Sequence, residues 1–324
     1  MAVGTGPQFS NLSARPALAR ESASYVSQRQ FLISSKFPTI KTDKIAGKFG
    51  SWAADLGLNY DNEGDASTAA FATVASLMGT ESAGYPTIGA DHSFTNYDCK
   101  KYGYEKFISD VAQREHDGNL AQVFSNAAME KLLIDRDILL AAQLFATGNW
   151  TNSAPTVKWL AATSDSQLDI ELARASCRVP RSMLTVVLGA EVVKALRTGP
   201  EINDVTKYVS GVAATIGSDE VLASALAAYW GVKEVIFFMG QHNSANKGQT
   251  VVGADIGGDF AWVGVLGAGN DPNTAIAIAE YQAPMIWQGR DPKDEGLTVR
   301  ANMYQDIVLP QSQLGYLLTA VATA

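Results

Sequence analysis

Histidine is almost missing from this 324-residue chain: His92, His116 and His242 are the only ones, and no two are near each other. A zinc site needs three or four converging ligands, and a nucleophilic triad needs a base beside its nucleophile. Neither is expected here, so no catalytic, cofactor or metal residue is assigned. Cysteine is scarcer still. Cys99 and Cys177 stand far apart in sequence, which suits a reducing cytosol and argues against a disulfide scaffold. No run approaches the ~20 consecutive apolar residues of a membrane helix. The first ten residues lack a basic segment followed by an apolar stretch, so neither membrane insertion nor secretion is expected. Positive charge is also in deficit, with Lys+Arg 25 against Asp+Glu 33 and a net charge of -8. A protein that grips nucleic acid neutralises phosphates with a basic surface. The longest cationic cluster here is Lys41, Lys44 and Lys48, spaced by apolar and small residues, which is no such surface.

Apolar bulk is plentiful, at 47% of residues. A chain this long can bury roughly 75% of its unfolded surface, enough for one large core or two smaller ones. That bulk is unevenly spread. Residues 1 to about 35 mix Gly, Pro, Ser and Asn, with a short helix expected from Pro16 to Gln30. They read as an arm ordered only by packing on something else. From Phe37 to about Asn96 small residues dominate, as in Ala66-Ser67-Thr68-Ala69-Ala70. Leu56, Leu58 and Tyr60 alternate briefly before a turn at Asp61-Asn62-Glu63-Gly64. So little to bury predicts an extended hairpin reaching away from the body. Exposed long strands invite pairing, and the expected partner is a neighbouring subunit. Trp52 and Phe71 lie in this sparse stretch and are predicted to be buried by that neighbour, each ring contributing roughly 1.5 to 3 kcal/mol.

A long helix comes next, with Asp117 as expected N-cap and Gly148 at the left-handed position past its end. Val123, Ala127, Ile134, Ile138, Ala141 and Phe145 are predicted to share its apolar face. Its length would be about 40 Å. Glu130, Lys131, Asp135, Arg136 and Asp137 at mid-length predict a spine rather than a buried core element, with Lys131 and Asp135 paired one turn apart.

From Trp159 onward helices and strands alternate. Helices are expected from a Ser166 cap to Cys177, from Ala190 to Arg197 with a stop at Gly199-Pro200, and from Ser218 to Gly231 with Asp219 and Glu220 in the first turn. Strands are expected at Met183 to Leu188, Val232 to Met239, Phe260 to Leu266, Thr274 to Tyr281, Leu297 to Tyr304 and Leu314 to Val321. Three loops invite ligand readings and fail them. Asp255-Ile256-Gly257-Gly258-Asp259 lacks the ligand count of a calcium loop and reads as a turn before Phe260. Gly240 to Thr250 lacks the Gly-Lys-Ser/Thr ending of a phosphate loop. Gly267-Ala268-Gly269-Asn270-Asp271-Pro272 lacks the dinucleotide fingerprint and reads as a hairpin loop.

Several phrases recur here in a familiar order. They are Gln30-Phe31, Phe37-Pro38, the run Ala141 to Trp150, Trp159 with Asp165 to Ile170, and Leu184 to Leu188 leading to Val192, Leu196, Ile202, Lys207 and Tyr208. Leu222-Ala223 through Gly231-Val232, Asn243-Ser244-Ala245 with Lys247-Gly248, Asp306-Ile307-Val308 and Gly315-Tyr316-Leu317-Leu318 complete the set. In this order, from about residue 29 to 322, the chain resembles tailed-bacteriophage major capsid proteins, whose fold is shared with encapsulins and the herpesvirus shell floor. Two departures stand out: Gly199 where the family often has His, and an unusually Ala-rich loop. The resemblance implies an α+β fold: an N-terminal arm (1–35), an extended β-hairpin loop (36–96), a peripheral domain with a long spine helix (97–158), an axial α/β domain (159–290), and C-terminal strands (291–324) returning through both. It implies a non-enzymatic subunit that tiles into pentamers and hexamers of an icosahedral shell around double-stranded DNA, enclosing it without sequence-specific binding. A procapsid would expand during packaging by rigid-body rotation and bending of spine and loop. Expected partners are further copies of itself, a portal, a separate scaffolding protein and a decoration protein. The expected location is the virion capsid, assembled in the host bacterial cytoplasm. An encapsulin-type nanocompartment is the alternative, although no phrase marks a cargo-peptide pocket. An α/β enzyme, suggested only by the pattern after Trp159, leaves the sparse loop unexplained.

Overall fold

The computed structural model describes residues 13–14, 33–52, 92–115, 119–161, 163–200, 219–243, 250, 253–268, 271, 273–291 and 295–322. Two five-stranded sheets dominate. The first combines β1 (Ser13–Ala14), β2 (Thr39–Lys41), β5 (Lys100–Ser109), β12 (Ala277–Asp291) and β13 (Gly296–Val308). Its order is β1-β12-β13-β5, with β2 parallel to β12 along Ile278 to Glu280. The N-terminal stretch thus contributes a strand, Ser13 and Ala14 lying opposite Gln288 and Trp287. β12 runs ten residues past the expected end at Tyr281. It does so through register shifts between Glu280 and Met285. Pro284 sits inside the shifted stretch and has no N–H for the ladder, which is why regular pairing with β13 pauses there and resumes beyond it.

α1 (Asp110–Glu115) is followed by the spine, α2, at Leu120–Leu144. Its 25 residues span about 37 Å. The cap is Asn119, whose side chain accepts from the Gln122 N–H at 3.3 Å, rather than Asp117, which lies outside the described residues. At the other end the helix closes on Phe145, whose N–H reaches the Ala141 carbonyl, and Gly148 has no left-handed backbone. The Lys131–Asp135 pair forms, at 3.7 Å.

The expected apolar face is corrected. Val123 and Ala127 are exposed, while Met129, Leu132, Leu140 and Leu144 are fully buried, along with Ala121, Ser125 and Asp137. Two cores share this one helix. Ala121, Met129, Leu132 and Leu133 pack on the first sheet through Ile108, Ile286, Val299, Ala301 and Met303. Leu140, Ala141 and Leu144 belong to the second core. The spine is therefore also a core element, because its two halves face different sheets and the buried stripe must serve both.

The second sheet runs β6-β14-β11-β7-β8, from β6 (Thr151–Ser153), β7 (Leu184–Gly189), β8 (Glu234–Phe238), β11 (Phe260–Val265) and β14 (Gly315–Thr319). Every residue of β7 is buried, the signature of a central strand covered on both faces. Around it lie α3 (Ser166–Cys177), α4 (Ala190–Thr198) and α5 (Asp219–Trp230). Asp165, not Ser166, caps α3, accepting from the Leu168 N–H. Ser166 points inward and accepts from the Trp230 indole at 2.8 Å. Asp169 beside it accepts from the Trp159 indole at 2.7 Å, so the two rings, 5.6 Å apart, are fixed by buried polar partners. Gly231 ends α5 at φ 65, as expected. The 255–259 stretch does turn into β11, with Gly258 at φ 55. The 267–272 stretch is not a hairpin loop: β11 pairs with β7 and β14, whereas β12 belongs to the other sheet, so the chain crosses between layers there. A short ribbon of β9 (Gln241–Asn243) and β10 (Gly253–Asp255) completes this side.

Candidate assembly surface

β3 (Ala46–Trp52) and β4 (His92–Asp98) pair antiparallel, from Ala46 opposite Asp98 to Trp52 opposite His92. An isolated two-stranded ribbon is marginal in water, so its footing matters. Tyr97 stacks on Phe49 at 4.5 Å and is buried with Ile40, Cys99, Ala277, Ala279 and Val308. The Asp98 N–H donates to the Asp306 carboxylate at 2.9 Å, and the Thr95 hydroxyl to the Pro310 carbonyl at 3.4 Å. The foot is fastened to β2, β12 and β13, and Trp52 stands at the opposite end. Of Trp52 the structure describes the backbone alone, and Phe71 lies outside the described residues.

A second fastening was not foreseen from the sequence. Asp137, 2% exposed, accepts from the Ile33 N–H at 3.2 Å and the Ser34 N–H at 3.0 Å. Its neighbour Arg136 donates to the Ser34 hydroxyl at 2.9 Å. Burial pushes the Asp137 carboxyl above the usual range, opposed by the Ser34 and Ile33 hydrogen bonds and by Arg136. Burial likewise holds the Arg136 guanidinium below its ordinary value. The spine thus holds the chain at Ile33 and Ser34. The only clue in the sequence was a mid-helix charge cluster, which reads as a solvated face until a partner is seen.

Among the described residues little suggests reactive chemistry. Both cysteines are buried, and desolvation raises the Cys177 thiol to about 12, leaving it protonated near neutrality. Among the described residues no group of His, Cys, Asp and Glu is arranged to hold a metal ion, and no helix is long and apolar enough to cross a membrane. His92 contributes backbone to β4, and His242 to β9; their side chains and all of His116 lie outside the described residues. An open groove of about 280 Å³ runs between the end of α2 and the 255–260 turn, lined by Ile138, Ala142, Phe145, Ile256 and Phe260. Asp255 is its one titratable group. Hydrogen bonds from Gln241 and Lys194 hold that carboxyl below the usual range, so it is a paired anion and not a poised acid.

What the surface does offer is apolar area. Leu168 and Leu172, one turn apart on α3, are 48% and 47% exposed, and Val111 and Val123 flank the start of the spine at 60% and 52%.

A body of two sheets bridged by one long helix, with a fastened ribbon leaving it, is a fold met among solved phage capsid structures. Solved structures bear this out. A phage-related protein from Bordetella bronchiseptica RB50 superposes with a TM-score of 0.67 at 15% identity, over 95% of this chain and 97% of that one. The capsid of Myoviridae phage XM1 gives 0.52 at 12% identity over 89% and 91%. A virus-like particle from Pyrococcus furiosus gives 0.54 at 8% identity over 94% and 98%. No protein-family model matches the sequence, and no curated protein matches it either.

Proposed function

We propose that this chain is a major capsid protein, a non-enzymatic subunit that tiles into the icosahedral head of a tailed bacteriophage around double-stranded DNA. The observation carrying this reading is the ribbon: a seven-residue pair of strands anchored at its foot, on a fold that matches a phage capsid subunit over about nine-tenths of both chains. On this reading residues 1–35 form the arm, 36–96 the extended loop, 97–158 the peripheral domain, 159–290 the axial domain, and 291–324 the returning strands. Trp52 and Phe71 are buried by an adjacent subunit. Pentamers and hexamers form through heterologous contacts that close into rings, and many modest contacts add up once copies are held together in a shell. A portal, a separate scaffolding protein and a decoration protein complete the head, which is assembled in the bacterial cytoplasm and ends as the virion capsid. The net charge of -8 keeps DNA from adhering to the inner wall. Steeply salt-dependent binding of the purified protein to duplex DNA contradicts that last point.

The second reading is an encapsulin-type nanocompartment, a compartment of the same fold that cages protein. Negative-stain microscopy of the protein expressed alone and with neighbouring gene products separates the possibilities. Shells support both readings, DNA inside supports the first, and protein cargo supports the second. A monomer under every condition contradicts both.

A further inference from the structure

The chain passes from one five-stranded sheet to the other along the spine, between Val265 and Ala277, and between Val308 and Gly315. Residues 33–37 tie the sheets in a different way. β1 and β2, before and after them in sequence, both pair with β12 of the first sheet, at Trp287 and Gln288 and at Ile278 to Glu280. Between those two points Ile33 and Phe37 are buried in the core of the second sheet. The 3-10 turn Ser34–Lys36 crosses the spine at Arg136 and Asp137. From it Lys36 reaches Glu234 of β8, at the end of the second sheet, at 3.5 Å. The crossing falls where the spine changes cores, after Leu133 and before Leu140.

The two ends of this strap are held unequally. Thr39–Lys41 is laddered to β12; beside the ladder the Ile278 N–H reaches the Pro38 carbonyl and the Thr42 N–H that of Glu280, each at 2.9 Å. Residues 33–37 are held to the spine and the second sheet by the polar grip of Asp137 and Arg136, by two apolar side chains and by an exposed ion pair, which contributes little. A grip of buried polar groups does not loosen by degrees. Half made, it leaves a carboxylate or an N–H buried without a partner, so the turn either sits on the spine or leaves it. Two-state contacts of this kind are what conformational changes are built from.

We infer that residues 33–37 are a releasable latch between the two sheets: seated on Asp137 and Arg136 they fix the angle between the sheets, and lifted off they let the sheets swing about the middle of the spine while both stay folded. β2 is the fixed end of the latch and Asp137 its catch. The inference concerns the single subunit, so it stands or falls apart from what that subunit assembles into.

Paired spin labels on dissociated full-length subunits test this. One replaces Lys101 on β5 (Lys101→Cys) and the other Leu172 on α3, which packs on β11 and β14 (Leu172→Cys); both positions are exposed, and the native cysteines are buried. The seated latch gives one narrow distance distribution. Asp137→Ala, which removes the catch, is expected to broaden it, to quicken amide exchange of Ile33 and Ser34 about a hundredfold, and to leave β7 and β13 protected. Leu132→Ala, a truncation of comparable cost away from the latch, is expected to keep the narrow distribution. Equal widths for wild type and Asp137→Ala overturn the inference, as does equal broadening in Leu132→Ala. Broadening accompanied by lost protection in β7 or β13 also overturns it, because that marks unfolding of a sheet rather than a swing. Should Asp137→Ala not fold, Asp137→Asn decides: it exchanges one acceptor oxygen for a donor facing the strap, and a distribution as narrow as that of the wild type overturns the latch.

Discussion

At Asp137 one carboxylate ties the segment before β2 to the spine. Two buried backbone N–H groups, of Ile33 and Ser34, depend on it. Asp137→Ala strands both, at a cost of about 3 kcal/mol, measurable by urea unfolding of the dissociated subunit. Its pH behaviour has a definite sign. Burial raises the native carboxyl above its unfolded value, so the folded state binds this proton more tightly. The corresponding stability is fully present below the ordinary carboxylate range and is lost as pH rises through the raised native value. Against Asp137→Asn, which does not titrate, the wild type therefore gains relative stability on acidification through that window. A relative loss in paired melts across those pH values contradicts this account. Gly189 is a second such position: a Cβ there would lie 2.2 Å from the Gly258 carbonyl and 2.5 Å from that of Gly257. Both obstacles are backbone and cannot swing aside, so Gly189→Ala is expected to cost about 3 kcal/mol by overpacking.

The spine is the element that makes two cores one body. Leu132 and Leu144 are both fully buried but in different clusters. Each truncation to Ala should cost about 3 kcal/mol, with distinct footprints. Hydrogen exchange should quicken in β5 and β13 for Leu132→Ala, and in β7 and β11 for Leu144→Ala; one common footprint contradicts the two-core description. This division also explains what could be read from residues alone. α3, α4 and β7 were legible nearly to the residue, since each has one environment along its length and a cap or glycine at its ends. The buried face of α2 was not, because small or charged residues such as Ala121, Ser125 and Asp137 stand in its buried stripe where apolar bulk would mark it. β12 was cut short because Pro284 and polar neighbours read as a strand end, when pairing resumes beyond them.

For the whole molecule, the question is what the ribbon is for. Its foot is well packed through Tyr97, Phe49 and the Asp98 and Thr95 hydrogen bonds, and on the proposed reading residues 53–91 serve contacts between copies. Removing residues 53–91 should therefore leave the body folded and abolish tiling. The most direct measurement is sedimentation of the full chain beside a version in which a short Gly-Ser turn joins Trp52 to His92, with thermal melting of both. Shell-sized particles for the full chain, and a small species of undiminished melting temperature for the shortened one, are predicted. Shells from the shortened chain, or a small full-length species in every condition, contradict the account.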